Sequence, residues 1–180
     1  MGRIGRLLFK LLMDNEQCEL VAVNDIMEAE NILYLLKYDS ISGPYQGSLD
    51  LQLNKIFSEK RSIAVLNSAS PAALPWKQLA VDLVVECTGG FTSRKLAERH
   101  LEAGAKKVLL STTGSSDLPL LIWGGNVRII SAQNGADNRY NEIRTECRAG
   151  RRSFSVHRCT FDDACAEGLG RRICEVTGET

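Results

Sequence analysis

The first 25 residues constrain the fold of this chain more than any other stretch. Gly2 and Gly5 open it, and the apolar residues that follow recur at the spacing of one helix face. They are Ile4, Leu7, Leu8, Leu11 and Leu12. The pattern predicts an α-helix over 3–15 and, after it, a buried β-strand over 19–24 that ends at the acidic Asp25.

A glycine-containing helix start followed by a strand and an acid is typical of dinucleotide-binding units. Free N–H groups and the positive dipole end at the helix start favour a pyrophosphate, which Gly2 would let approach the backbone closely. Asp25 lies 20 residues beyond Gly5, where such units place an acid that binds the adenosine ribose. Only Gly-x-x-Gly of the longer fingerprint is present, so an ordinary amphipathic helix with two glycines is the alternative.

Strands and helices alternate through the first 132 residues. The expected elements are helices over 28–37 and 92–103, the second stopped by Gly104, short antiparallel strands near 49–53 and 62–66, and buried strands over 81–87 and 106–111. This alternation predicts an α/β fold with a parallel sheet covered on both faces. Ligands of such sheets bind at the carboxyl ends of the strands, where Asp25, Thr88 and Ser111 are expected.

The net charge of the chain is zero, because 22 basic residues balance 22 acidic ones. That balance indicates neither a nucleic-acid nor a membrane partner, and no apolar run is long enough to span a bilayer. The charged N-terminal helix is unlike a signal peptide. Six cysteines in this setting predict reduced thiols and a cytoplasmic location, with Cys18 and Cys87 packing as small apolar residues.

Six segments then carry a family resemblance. They read GRIGR (2–6), VND (23–25), LLKYDS (35–40), VVECTG (84–89), GAKKV (104–108) and IIS (129–131). In this order and near this spacing they resemble the NAD-binding half of phosphorylating glyceraldehyde-3-phosphate dehydrogenase, over about residues 2–132. Erythrose-4-phosphate dehydrogenase, a close relative, is the alternative within the same resemblance.

The resemblance implies that the chain binds NAD on a Rossmann-type sheet. Arg3 and Ile4 would contact the pyrophosphate, Asp25 the adenosine ribose, and the remaining residues would line the groove. The implied cofactor residues are Gly2, Arg3, Ile4, Gly5, Asn24, Asp25, Thr88, Gly89, Phe91 and Ser111. Because Asp25 would repel a 2′-phosphate, NAD is preferred to NADP. Family members are glycolytic oxidoreductases that oxidise and phosphorylate an aldehyde, usually as homotetramers.

The family's opening strand and first glycine have no counterpart before Gly2. In a doubly wound sheet of order 3-2-1-4-5-6 that strand is central, so its neighbours would lie about 10 Å apart, two strand spacings. Each unpaired buried N–H or C=O costs about 1–3 kcal/mol, and several of them rival the roughly 5–15 kcal/mol that stabilises a domain. We therefore expect a truncated Rossmann-type sheet that this chain cannot hold as a stable monomer.

The resemblance ends near residue 132 and divides the chain into an expected NAD-binding domain, 1–132, and a tail, 133–180. Gly135 stands where the family carries its nucleophilic cysteine, so no catalytic residue is assigned and no turnover is expected. The segment before Ile129 looks shortened. The tail has eight arginines, no lysine, four of the six cysteines and no sustained periodicity. We expect it to be irregular and hypothesise that it is translated out of frame after a deletion.

The remaining polar residues give no predicted site. The tail's candidate metal ligands lack a Cys-x-x-Cys pair, so no metal is assigned. They are Cys147, His157, Cys159, Cys165 and Cys174. His100 is expected on a solvated face of its helix. Three functions stay open: an active dehydrogenase, a non-catalytic NAD-binding module, and a non-functional gene remnant.

Overall fold

A computed structural model describes residues 1–112, 114–118, 120–122, 140–144 and 172–176. Its helices are α1 (Arg3–Asp14), α2 (Ala29–Lys37) and α3 (Arg94–Glu102). The strands are β1 (Glu19–Asn24), β2 (Asp50–Gln52), β3 (Lys55–Phe57), β4 (Ser62–Leu66), β5 (Leu83–Glu86), β6 (Lys107–Leu110), β7 (Leu120–Ile122), β8 (Tyr140–Arg144) and β9 (Arg172–Val176). A short 3₁₀ turn spans Pro71–Ala73.

The predicted α/β class is confirmed, and the elements expected within the first 112 residues are present with small shifts of their ends. The buried face of α1 is rotated from the predicted stripe. Leu8 and Leu12 are buried as expected, but Phe9 and Met13 join them while Ile4, Leu7 and Leu11 stay half-exposed. The reason is that α1 is apolar over a wide arc, and its packing against the sheet selects one part of that arc.

The described strands form one sheet in the order β2-β3-β4-β1-β9-β5-β6-β8-β7. The pairs from β4 to β7 are all parallel. At the other end, the two short strands that were predicted, β2 and β4, each pair antiparallel with β3, a strand between them that the sequence analysis did not predict. A mainly parallel sheet of this kind places the carboxyl ends of its strands along a single side.

Strand β9 occupies the position between β1 and β5. It runs parallel to both, with Cys174 opposite Ala22 on one side and Val84 on the other. The gap of two strand spacings that was expected between β1 and β5 is therefore filled by β9. The expectation of an unstable monomer rested on that gap, so its premise is wrong. Two stretches of the tail, 140–144 and 172–176, are strands, so its expected irregularity is wrong for them. Neither strand has the apolar alternation that periodicity analysis detects, since their sequences read YNEIR and RICEV.

Apolar side chains cover both faces of the sheet. On one face, Leu8, Phe9 and Leu12 of α1 and Ile32 and Leu36 of α2 join a core cluster with Leu20, Val23, Ile63 and Val85. On the other face, Ala97 of α3 and the indole of Trp76 pack with Val84, Val108 and Leu110. Successive residues of β5 alternate between the two clusters, as the pleat of a strand requires. No helix among the described residues is long and apolar enough to span a bilayer.

Cys18 lies in the first of these clusters with 1% of its surface exposed. Its predicted packing is thus confirmed, but Cys18 is disulfide-bonded, which corrects the expectation of a reduced thiol at this position. Cys87 is half-buried and is not part of a disulfide.

Asp39 fixes the segment after α2 to helix α1. Its Oδ2 accepts hydrogen bonds from Arg6 Nε at 3.1 Å and Lys10 Nζ at 2.7 Å, and its Oδ1 accepts the N–H groups of Ile41 and Ser42. Burial alone would raise the pKa of Asp39, but the bonds from Lys10, the two backbone groups and Arg6 together hold that pKa well below its usual range. The ionised carboxylate is therefore strongly favoured in the folded chain.

Replacing Ile173 tests the role of β9 through its backbone. I173P removes an N–H group from a strand that is paired on both sides, so we expect loss of a cooperative urea unfolding transition. I173V keeps that N–H group and is the matched control, with a transition close to that of the native chain. Circular dichroism against urea concentration measures both. Equal unfolding curves for the two variants would show that β9 does not hold the sheet.

The ion cluster at Asp39 predicts a pH-dependent stability. Because the folded-state pKa is lowered, the stabilisation is fully present above the unfolded pKa of about 3.9 and is lost as pH falls toward the folded pKa. D39N should therefore lower the free energy of unfolding at pH 7 by about 1.5–3 kcal/mol. The difference from the native chain should shrink below about pH 4. E59Q, at an exposed acid, is the control, and a difference independent of pH would contradict the assignment.

Candidate dinucleotide-binding site

The predicted cofactor residues cluster at the carboxyl end of the sheet. Registers place Asn24 and Glu86 on either side of Val176, and Leu110 opposite Glu86. The ends of β1, β5 and β6 thus form one row, in which β1 and β5 lie about 10 Å apart with β9 between them. Asp25 and Ser111 follow the ends of β1 and β6 directly, and Thr88 comes two residues after the end of β5.

Helix α1 begins at this same end of the sheet, because the α-amino group of Met1 contacts Asp25 Oδ2. Gly2 is the N-cap residue and contributes no side-chain cap, and the first turn contains no acidic residue. The first N–H group bonded within the helix is that of Arg6, to the Gly2 carbonyl at 3.0 Å. The N–H groups before it carry the positive end of the helix dipole and have the character of an anion site.

Side chains around this helix start differ in exposure. Arg3 is exposed, Ile4 is half-exposed, and Gly5 is buried in the helix contact with the sheet. Arg6 donates to the Met1 carbonyl at 2.8 Å and to Asp39, so its charge is already balanced. A cation at a helix N-terminus is unfavourable unless an anion offsets it, and the exposed Arg3 is such a cation in the first turn of α1.

The two polar residues at the end of β1 have different surroundings. Asn24 exchanges hydrogen bonds with the Ser68 backbone, donating to its carbonyl and accepting its N–H, both at 3.0 Å. Asp25 is 1% exposed, and its Oδ1 accepts the N–H of Met27 at 2.9 Å. Asn24 therefore fixes the loop after β4, and Asp25 Oδ2 could meet a ribose hydroxyl only after Met1 has moved.

The loop after β5 carries three predicted residues. The hydroxyl of Thr88 accepts the N–H of Gly90 at 3.0 Å, which makes a tight turn. Gly89 has φ +75°, a conformation that favours glycine, and an added Cβ would meet nothing closer than Thr112 at 3.9 Å. Phe91 is half-buried, with its ring edge-on to the His100 imidazole at a centroid distance of 6.3 Å.

Ser111, directly after β6, has a buried Oγ that lacks a hydrogen-bond partner among the described residues. Its backbone N–H donates to the Glu86 carbonyl at 2.9 Å, so its position is fixed by β5. A buried hydroxyl without a partner is costly in a folded protein and marks a place where a ligand group could bind. This orphan hydroxyl and the uncapped helix start fit a polar dinucleotide at the carboxyl end of the sheet.

Sequence reasoning missed a buried polar chain behind the β5 loop. Trp76 Nε1 donates to His100 Nδ1 at 3.0 Å, and His100 Nε2 lies 3.1 Å from Glu86 Oε2. His100 is fully buried, so its predicted solvated position is wrong. The helical spacing of Ala97 and His100, which share the buried face of α3, was the available signal.

Other candidate sites lie elsewhere or outside the described residues. A cleft of about 440 Å³ lies between α1, the loop 42–48 and the turn 58–60, and none of the ten predicted residues lines it. Among the residues that the structure describes, no three His, Cys, Asp or Glu side chains are grouped to hold a metal ion. Gly135 and the tail residues Cys147, His157, Cys159 and Cys165 lie outside the described part.

Comparison with known proteins identifies a family for the first part of the chain. Residues 1–94 match the family described as glyceraldehyde 3-phosphate dehydrogenase, NAD binding domain. The glyceraldehyde-3-phosphate dehydrogenase of Chlamydia pneumoniae is 41% identical over 69% of the chain, and the cytosolic enzyme of Trypanosoma brucei brucei is 38% identical over the same share. That of Klebsiella pneumoniae is 35% identical over 76%.

The chain spans 38% of the length of the first two of these relatives and 45% of the third. The match to the family covers more than half of the chain and includes α1, β1 and the loop after β5. The chain therefore belongs to the glyceraldehyde 3-phosphate dehydrogenase family, and its matching part is the NAD-binding domain of that family.

Proposed function

We propose that this chain binds NAD at the carboxyl end of its sheet. The observation that carries the proposal is the uncapped start of α1, held against the buried carboxylate of Asp25. The pyrophosphate would lie on the free N–H groups of α1 with Arg3 beside it, and the adenosine ribose would bind Asp25. The pyrophosphate and the ribose would thus lie at opposite ends of the short surface between the start of α1 and Asp25.

The other predicted residues are proposed to line the groove. Gly2 and Ile4 would flank the pyrophosphate, and Gly5 would keep the helix close to the sheet. Thr88, Gly89 and Phe91 would border the middle of the cofactor from the loop after β5. Asn24 would act through the Ser68 loop that it holds, and the buried hydroxyl of Ser111 would meet a polar group of the cofactor.

The arrangement of the chain is proposed to be a truncated Rossmann-type, doubly wound unit. The order β4-β1-β9-β5-β6 follows the family order 3-2-1-4-5 if β9 stands at the position of the family's first strand. In this arrangement residues 1–132 form the NAD-binding unit. Residues 133–180 are a tail, whose strands β8 and β9 belong to the sheet of that unit.

We propose further that residues 1–180 do not turn over substrate by themselves. Bound NAD supplies a hydride acceptor, but the position of the family's nucleophilic cysteine carries Gly135, outside the described residues. The proposed parent chemistry is glycolytic oxidation and phosphorylation of an aldehyde phosphate, with erythrose 4-phosphate as the alternative substrate. Cytoplasmic location and a homotetrameric parent enzyme belong to the same proposal; the Trypanosoma relative is named cytosolic.

The affinity for NAD should depend on the charge of Asp25. D25N keeps an oxygen for the Met27 N–H but removes the anionic acceptor, so NAD should bind about tenfold more weakly, as expected for the loss of one charge-assisted hydrogen bond. Binding of NADP should improve, because the repulsion of its 2′-phosphate is removed. Isothermal titration calorimetry with both cofactors measures this change. D50N, at an exposed acid of β2, is the control, and equal effects of both substitutions would contradict the ribose site.

An assay of NADH formation separates the three functions. With glyceraldehyde 3-phosphate, phosphate and NAD, the chain should give no absorbance increase, while calorimetry should detect saturable NAD binding. Steady NADH formation would establish an active enzyme and overturn the non-catalytic proposal. If the chain unfolds cooperatively but shows neither turnover nor NAD binding, only the non-functional gene remnant stays open.

A further inference from the structure

We propose that Trp76, His100 and Glu86 form a buried relay of hydrogen bonds that positions the loop 88–91 for the cofactor. They are positioning residues, since none of them belongs to the predicted cofactor contacts. The inference rests on the proposed NAD site. It adds to that site a set of residues that the dinucleotide motif does not contain.

The relay connects three parts of the fold. Trp76 lies before β5, His100 lies on α3, and Glu86 closes β5. All are buried, with exposed fractions of 0%, 0% and 2%. The chain of contacts runs from Trp76 Nε1 to His100 Nδ1 at 3.0 Å and from His100 Nε2 to Glu86 Oε2 at 3.1 Å. It ends where Glu86 Oε1 accepts the Thr88 N–H at 2.7 Å.

The donor inventory fixes the direction of every bond. An indole N–H can only donate, so His100 Nδ1 must accept and carries no proton. The remaining proton of a neutral imidazole is then on Nε2, from which it donates to Glu86. Glu86 also accepts from Thr88, so both of its oxygens act as acceptors, which suits an ionised carboxylate.

The loop contacts this relay twice. Thr88 is held through its N–H by Glu86, and the ring of Phe91 lies edge-on against His100 at 75°. Between them lies Gly89 with its positive φ. A buried polar chain whose members are all paired is rigid, whereas a mispaired donor in it is costly. The relay therefore stabilises one conformation of the segment that would border the cofactor.

Replacing one carboxylate oxygen of Glu86 by an NH₂ donor should disturb the loop without changing the size of the side chain. In E86Q the amide oxygen can still serve Thr88, but its NH₂ group then faces the Nε2–H of His100, because Trp76 keeps the proton on Nε2. W76F removes that constraint, so in W76F/E86Q the imidazole can move its proton to Nδ1 and accept from Gln at position 86. The double variant should therefore recover part of what E86Q loses.

The experiment uses the full chain and three readouts. Two-bond ¹⁵N–¹H spectra of His100 should show the Nε2-protonated tautomer in the native chain and the Nδ1-protonated tautomer in W76F/E86Q. Hydrogen exchange of the Thr88 amide should be faster in E86Q. Calorimetry should show NAD binding weakened about tenfold in E86Q, the ratio for one charge-assisted hydrogen bond, and partly restored in the double variant. W76F alone removes the indole donor but keeps the Glu86–Thr88 bond, so it should weaken NAD binding less than E86Q does, although it also lowers the melting temperature.

A merely structural role would make NAD affinity follow melting temperature across the variants, with W76F/E86Q worse than either single change. That pattern, or an Nδ1-protonated His100 in the native chain, overturns the relay. The tautomer of His100 in the native chain tests the relay even if none of the variants folds. If the native chain fails to bind NAD while the tautomer and Thr88 exchange behave as expected, the proposed function fails and the relay remains as the anchor of the loop.

Discussion

The backbone pairing of β9 with both β1 and β5 is the constraint on which the rest of the molecule depends. Without it, two buried strands would face each other across about 10 Å with N–H and C=O groups unpaired. With it, each residue of β9 has a partner in β1, and Ile173–Val176 also have partners in β5. The same pairing aligns Asn24 with Glu86 at the carboxyl end of the sheet, so the geometry of the candidate site depends on a segment distant in sequence.

The charges at the two ends of α1 support the proposed anion site at its N-terminus. Its N-terminus has no acidic neighbour in the first turn, and one of its two early arginines is neutralised by Asp39. At its other end, the guanidinium of Arg61 donates to the carbonyls of Leu12 and Cys18, each at 2.8 Å. A cation there complements the negative end of the helix dipole. Arg6 and Lys10 of α1 are therefore paired with Asp39, and the exposed Arg3 lies at the helix start, where the anion is proposed to bind.

Local patterns predicted most elements because helices and half-buried strands repeat their apolar residues at fixed periods. The helix α1, the strand before Asp25 and the stop at Gly104 follow from neighbouring residues alone, whereas the part of α1 that is buried does not. Gly104 has φ +105°, and an added Cβ would lie 2.5 Å from Lys77. Position in the sheet could not be predicted for β9, because it depends on pairing between residues about 150 positions apart. His100 was misplaced for a related reason: its partners come from other elements.

Native-state hydrogen exchange on the intact chain tests the central claim most directly. The amides of β1 and β5 that point toward β9 should be among the slowest to exchange, with protection similar to those that point toward β4 and β6. If the amides facing β9 exchange as fast as free strand edges while the others stay protected, the sheet has a gap at its centre. In that case the account of both the fold and the candidate site is wrong.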